Sequence, residues 1–178
     1  MNYWFTADCH FDDVDIISYF NRPFKSLQHM NKTLVANWNS RVKPEDIVIH
    51  NGDFIQRIPG GTKSKDWESQ LNGKIIHVAG NHDNNNGCKT IIQNMTIVMG
   101  GKRIFITHNP EDVGFITGCD LAFTGHVHTK WEIKRVKKMF DFMDCINVGV
   151  DVWNFRPVSF NEIMKRYKNW LREDKDGR

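Results

Sequence analysis

Short apolar runs punctuate the chain at strand length: YWFTA from Tyr3, DIVIHN from Asp46, KIIHVAG from Lys74, KRIFITH from Lys102, LAFTG from Leu121 and CINVGV from Cys145. Most are rich in β-branched or aromatic residues, the composition of buried strands. Between them the period changes. From Ser26 to Arg41, the side chains of Leu27, Met30, Leu34 and Trp38 fall on one face at helical spacing. A second helix is predicted to begin at Ser159, where Glu162 completes a capping box and Phe160, Ile163, Met164, Tyr167 and Leu171 form the apolar stripe. A shorter helix from about Ser64 to Asn72 ends at Gly73. The basic run KRVKK, residues 134 to 138, alternates poorly for a buried strand and reads as a solvated hairpin. Strands interleaved with helices, without an internal repeat or a linker, predict one α/β domain over residues 1–178 with ligands on loops at strand ends.

Composition narrows the function classes. The 178 residues are 40% apolar and 25% charged, ordinary for a soluble globular protein, and no apolar run approaches the length of a membrane span. The start, MNYWFTADCH, has neither the basic opening nor the apolar stretch of a signal peptide, so a cytoplasmic location is expected. A net charge of +3 favours an anionic substrate yet falls short of the polybasic profile of a dedicated nucleic-acid binder. Cys9, Cys88, Cys119 and Cys145 form no C-x-x-C pair, which argues against a zinc knuckle or redox dithiol and for reduced, mostly buried thiols.

The chemistry collects where the strands end. TADCH ends the first with Asp8 and His10, and NGDF ends the second with Asp53. GNHD ends the third with Asn81, His82 and Asp83, THNP the fourth with His108, and TGHVH the fifth with His126 and His128. In an extended segment residues i and i+2 point to one side, so Asp8 with His10, and His126 with His128, can each aim two ligands at one place. A single D-x-H or H-x-H pair matches many unrelated sequences, but the recurrence of metal-type side chains at five strand ends is a different matter. His29, His50 and His77 lack that setting and read as structural.

The ordered set D-x-H, G-D, G-N-H-D, H and G-H-x-H, spanning Asp8 to His128, resembles the calcineurin-like metallophosphoesterase superfamily. NRPF, NWNSRV and NVGVDVWNFRPVSFNEI further resemble a small single-domain bacterial and phage branch of it. The resemblance implies a four-layer α-β-β-α sandwich of two mixed β-sheets flanked by helices. It also implies two divalent metal ions, one held by Asp8, His10, Asp53 and His128 and the other by Asp53, Asn81, His108 and His126, with Asp53 as the bridge. Two departures, Asp12 and Asp13 in CHFDD and Asn51 in HNGDF, are expected to alter the shape or charge of the substrate mouth.

Carboxylate, imidazole and amide donors without thiolate suit first-row divalent ions independently of any resemblance; manganese is preferred here, with iron, zinc and nickel as alternatives. The expected function is metal-dependent phosphoester hydrolysis, of a diester in preference to a monoester, by in-line attack of a metal-bridging hydroxide. His82 would protonate the leaving group, and Asp83 would raise the basicity of His82. Arg22 in NRPF and Arg156 in FRPV are candidates for gripping the phosphate, with a loop anchor or surface ion pair as the alternative. Trp153 is read as a core aromatic or a base-stacking platform. The expected substrate is a phosphate-ester small molecule or a nucleotide, with nucleic acid less favoured and no membrane partner. The loops after Phe11, around Arg57 to Lys65 and after Asn84 should shape specificity, and Gly60-Gly61 and the asparagines at 84 to 86 suggest mobility. Rival readings are a nuclease or protein phosphatase of the same superfamily, and a non-catalytic scaffold that keeps the fold.

Overall fold

Side-chain parity along β1 (Tyr3–Thr6) fixes which way each layer faces. Trp4 packs with helices on one side, whereas Phe5, and Ala7 just beyond the strand, pack against a second sheet on the other. The computed structural model describes residues 1–56, 61–83, 88, 90–139 and 141–176. The expectations for Arg57 and Gly60 and for the asparagines at 84 to 86 fall outside the described residues.

After β1 come α1 (Asp15–Tyr19), α2 (Leu27–Asn39), β2 (Ile47–Asn51), α3 (Ser64–Glu68) and β3 (Lys74–Val78). The second half runs β4 (Asn94–Met99), β5 (Lys102–Thr107), a 3-10 helix (Pro110–Phe115), β6 (Leu121–Thr124), β7 (Ile133–Lys137) and β8 (Phe142–Asn147). A second 3-10 turn (Val150–Val152), β9 (Val158–Ser159) and α4 (Phe160–Asp176) complete it. The first sheet has the order β3-β2-β1-β9, parallel except for β9. The second has the order β4-β5-β6-β8-β7, with β5, β6 and β8 parallel and an antiparallel hairpin at each edge. Two mixed sheets flanked by helices result. Because the central strands of each sheet are parallel, their following loops emerge together, which is the arrangement that gathers ligands.

Phe5, Ile49 and Val78 of the first sheet meet Ile104, Ile106, Leu121, Phe123 and Ile146 of the second, and Phe5 and Phe123 touch edge to face with centroids 5.0 Å apart. On the outer face of the first sheet, Ile16 of α1 and Met30, Leu34 and Trp38 of α2 cover Val48. Ser26 caps α2 by accepting the His29 N–H at 3.1 Å. His50 and His77 also lie on this outer face, both ring-to-ring with Phe54.

The far side differs from a thick helical layer. Val113 of the 3-10 helix covers Phe105, Ala122, Met143 and Cys145 on the outer face of the second sheet. The helix α4 instead sends Ile163 and Tyr167 into the inter-sheet core, where the Tyr167 hydroxyl donates to Asp144 Oδ2 at 2.6 Å. Its predicted capping box is present: Ser159 N–H donates to Glu162 Oε2 at 3.0 Å and Glu162 N–H to Ser159 Oγ at 3.4 Å. KRVKK falls in the β7–β8 hairpin as expected, with Lys134, Arg135 and Lys137 exposed on an edge strand, a placement that discourages edge-to-edge pairing. Among the described residues no helix is long and apolar enough to cross a membrane.

Candidate metal centre

The loops do not bring their ligands together by the expected route. Asp8 (φ 57°), His10 (φ 49°), Asp53 (φ 56°), His126 (φ 69°) and His128 (φ 47°) all occupy the left-handed region, so none sits in the extended backbone from which the i, i+2 argument starts. Each such turn costs a non-glycine residue about 1–2 kcal/mol. Backbone bonds between neighbouring loops hold them there: Asp8 N–H to Gly52 O at 3.0 Å, His10 N–H to Asp53 O at 3.0 Å, and Gly125 N–H to His108 O at 3.0 Å. At Gly52, with φ 87°, a side chain is excluded because its Cβ would stand 2.5 Å from His108 Nδ1. Strain concentrated at convergent polar groups is what a functional site shows.

Seven side chains meet in two groups. Ligand atoms of Asp8, His10 and His128 lie within 4.8 Å of one another, as do those of Asp53, His108 and His126. Asp53 reaches both: its Oδ2 is 3.2 Å from His108 Nε2 and 3.6 Å from His10 Nε2. Asn81 Oδ1 sits 3.0 Å from His108 Nε2 and 3.0 Å from His126 Nδ1. Donors about 2.1 Å from a shared ion at right angles stand about 3.0 Å apart, so these separations fit side chains arranged around small cations.

Three histidines are oriented from behind. His10 Nδ1 lies 3.1 Å from Asp13 Oδ2, His108 Nδ1 2.7 Å from Asn51 O, and His128 Nδ1 2.8 Å from Asp151 Oδ2. A carboxylate or carbonyl oxygen only accepts, so each Nδ1 carries the proton and each Nε2 is left as the ligand nitrogen. The Nε2 of His10 is buried with no hydrogen-bond partner, a polar atom whose desolvation needs compensation by something in that space. His128 is held further by Phe20, stacked on it at 3.7 Å between centroids.

Without cations the site is electrostatically tense. Burial opposes a proton on His108, but the hydrogen bond to Asp53 and the charges of Asp8 and Asp53 outweigh it and push its pKa up to about 9. Burial raises the Asp53 carboxyl, yet His108 and His10 hold it well below the usual carboxylate range. His126 is lowered, by burial first and His108 second. The donor set is imidazole, carboxylate and amide. Cys9, between Asp8 and His10, turns into the core, and burial pushes its thiol far above the usual value, so thiolate ligation is not on offer.

Several predicted residues play other parts. All five N–H donors of Arg22 are committed: two to Asp151 at 2.8 and 2.9 Å, two to the carbonyls of Asp8 and Cys9, and one to Met30 Sδ. It is a buried loop anchor and has no donor left for a phosphate. Asp83 gives both oxygens to backbone amides, those of Asp53, Phe54 and Gly80 at 2.8 to 3.0 Å, rather than to the His82 imidazole. His82 is exposed, with its ring 5.3 Å from that of His10 and its backbone N–H bound to Asp53 Oδ1 at 2.9 Å. Arg156 is exposed and lines a cleft of about 280 Å³ with Trp153, Lys165 and Arg166, whose lining residues include none of the candidate ligands. The Trp153 ring is covered by the Arg166 guanidinium at 4.2 Å, which leaves that face closed to a base. Asp13 and Asn51, expected at the substrate mouth, instead orient His10 and His108; Asn51 is buried and its amide donates across the sheets to Phe123 O at 2.9 Å. Asp12 is occupied by Asn31 and Trp67.

Asp151 and Asn147 are not among the residues that the sequence singles out for the site. Asn147 donates to the carbonyls of His128 and Trp131 and accepts from Gly149 N–H, tying the β6 loop to the β8 loop. The one available signal was the string NVGVDVW, which carries both Asn147 and Asp151.

Known proteins place the chain. It is 33% identical over 159 residues to the uncharacterized protein MJ1445 of Methanocaldococcus jannaschii, covering 89% of this chain and 87% of that one. The crystal structure of AQ665, a protein of unknown function from Aquifex aeolicus, superposes with a TM-score of 0.70 at 26% identity, covering 92% of this chain and 97% of that one. Residues 1–150, which hold every candidate ligand, match the calcineurin-like phosphoesterase superfamily domain, and the chain therefore belongs to the calcineurin-like phosphoesterase superfamily.

Proposed function

We propose that this chain is a two-metal phosphoesterase that prefers phosphodiesters, with Asp8, His10, Asp53 and His128 holding one divalent ion and Asp53, Asn81, His108 and His126 the other. The observation that carries it is the shared aim of the histidines: Nδ1 of His10, His108 and His128 is taken from behind, and the Nε2 atoms of His10 and His108 face one carboxylate, Asp53, from two sides. Divalent ions bound there would neutralise phosphoryl oxygens and supply a water-derived nucleophile near neutral pH.

The chain's own residues do the rest. Asp53 fixes the spacing of the two groups because its Oδ1 is tied to His82 N–H while Oδ2 faces the histidines. His82 is the general acid: its backbone is anchored at the site and its exposed ring stands at the opening beside His10, where an imidazole N–H protonates the departing alkoxide. An unactivated ester, diester or monoester alike, needs that proton, since its leaving group departs as a poorly stabilised alkoxide. Asp83 acts at one remove, holding the Asp53 and Gly80 amides in place. The substrate is a small phosphate ester or nucleotide, and manganese is the preferred ion.

The test is hydrolysis of bis-p-nitrophenyl phosphate and p-nitrophenyl phosphate by metal-stripped protein resupplied with manganese, iron, zinc or nickel. Turnover restored by metal and faster on the diester is the expected result. Rates equal to the buffer blank with every ion would overturn it and favour a non-catalytic scaffold.

A further inference from the structure

A buried ion pair sits directly behind one candidate ligand and touches the loop that carries two others. Arg22 and Asp151 have side chains 0% and 1% exposed. Asp151 Oδ2 lies 2.9 Å from Arg22 Nη2 and 2.8 Å from His128 Nδ1, so one oxygen takes both hydrogens. The other face of the guanidinium donates to the carbonyls of Asp8, at 2.7 Å, and Cys9, at 3.1 Å. The chain reinforces the same junction, since Val150 N–H donates to Ala7 O at 3.0 Å. We propose that Arg22 and Asp151 are positioning residues for the ion held by Asp8, His10 and His128, and that they set its affinity separately from that of the second ion. This rests on the two-metal reading above.

The chemistry distinguishes positioning from stabilisation. Taking two opposite charges out of water costs nearly as much as their attraction returns, so the net stability of such a pair is small. What a planar guanidinium in bidentate contact supplies is direction. It fixes the carboxylate, the carboxylate fixes the His128 ring and keeps the proton on Nδ1, and Nε2 stays the ligand atom. Arg22 meanwhile pins the carbonyls of two successive peptides, Asp8–Cys9 and Cys9–His10. The other ligand group has a different support, since His108 rests on the Asn51 carbonyl and Asn81 on His108 and His126. Loss of a residue that orients a metal-bound histidine typically weakens the metal about 10- to 100-fold.

The experiment is a calorimetric titration of the metal-stripped protein with Mn²⁺, comparing wild type, Asp151→Ala, Asp151→Asn, Arg22→Lys, His128→Ala and the double variant Asp151→Ala/His128→Ala. Wild type should bind two ions. Asp151→Ala should weaken one of them by about 10- to 100-fold and leave the other unchanged. Arg22→Lys, which cannot reproduce the fork, and Asp151→Asn, which keeps the volume and an acceptor but not the charge, should weaken the same ion by less. The losses should be less than additive in the double variant, because part of the Asp151 effect runs through that ring and the rest through the carbonyls that Arg22 holds. Equal weakening of both ions, no weakening of either, or fully additive losses in the double variant would overturn the proposal. Should Asp151→Ala not fold, the isosteric Asp151→Asn and Arg22→Lys carry the same comparison. A wild type that binds no ion sinks the two-metal reading itself, an outcome distinct from two intact ions in the Asp151 variants.

Discussion

His82 and Asp83 are neighbours in different settings, one exposed and one buried, and substitution separates them. His82 has an exposed ring, and its tie to Asp53 runs through the backbone N–H, which alanine retains. His82→Ala should therefore lower turnover about 10²- to 10⁴-fold while metal stoichiometry and melting temperature hold. Asp83→Ala should do the reverse in kind: it strands three buried amides, and hydrogen bonds to a charged acceptor count for about 1.5–3 kcal/mol each. A loss of at least about 3 kcal/mol in urea denaturation is expected; unchanged stability would mean that Asp83 does not hold the Asp53 turn. Among the candidate ligands, residue types at strand ends are what the sequence makes legible. Their backbone conformation was not, because nothing in a D-x-H or H-x-H string announces left-handed turns at residues that disfavour them. Nor could the pairing of Arg22 with Asp151 be read, since a contact between residues 129 positions apart leaves no local period.

At the scale of elements, what was readable is what is buried. The runs that became β1, β2, β3, β5, β6 and β8 are apolar because most of their residues face a core, and α2 and α4 show a clean stripe. β4 leaves a weak signal because it is an edge strand that alternates between exposed and half-buried, and β9 leaves none because two residues carry no pattern. α1 has five residues and buries only Ile16. The outer face of the first sheet yields a pH prediction. Burial first, and His77 second, hold the His50 pKa well below the ordinary 6.5. The unfolded chain takes up that proton as pH falls through about 6.5 while the folded chain refuses it, so stability is complete above that value and declines below it. The difference in melting temperature between pH 7.5 and pH 5.5, measured on metal-free protein, should shrink in His50→Gln. An unchanged difference would mean that other groups govern the acid side. Removing the α4 cap with Ser159→Ala should cost about 0.5–2 kcal/mol in urea denaturation without altering metal binding.

For the molecule as a whole, two sheets with parallel centres deliver loops to one edge, and the superfamily's chemistry follows from what those loops carry. Metal binding and protonation are opposed there. With its pKa pushed up to about 9, His108 holds a proton in metal-free protein at neutral pH that ligation must displace. Affinity should thus rise as pH increases from 7 toward 9, and titrations in buffers of different ionisation enthalpy should report close to one proton released. No release would contradict the electrostatics described for Asp53 and His108. Anomalous scattering from crystals grown with excess manganese shows whether two ions meet at Asp53. Two peaks are predicted, one against Asp8, His10 and His128 and one against Asn81, His108 and His126, with Asp53 touching both. A single peak, or none at these side chains, would mean that Asp53 does not join two ions.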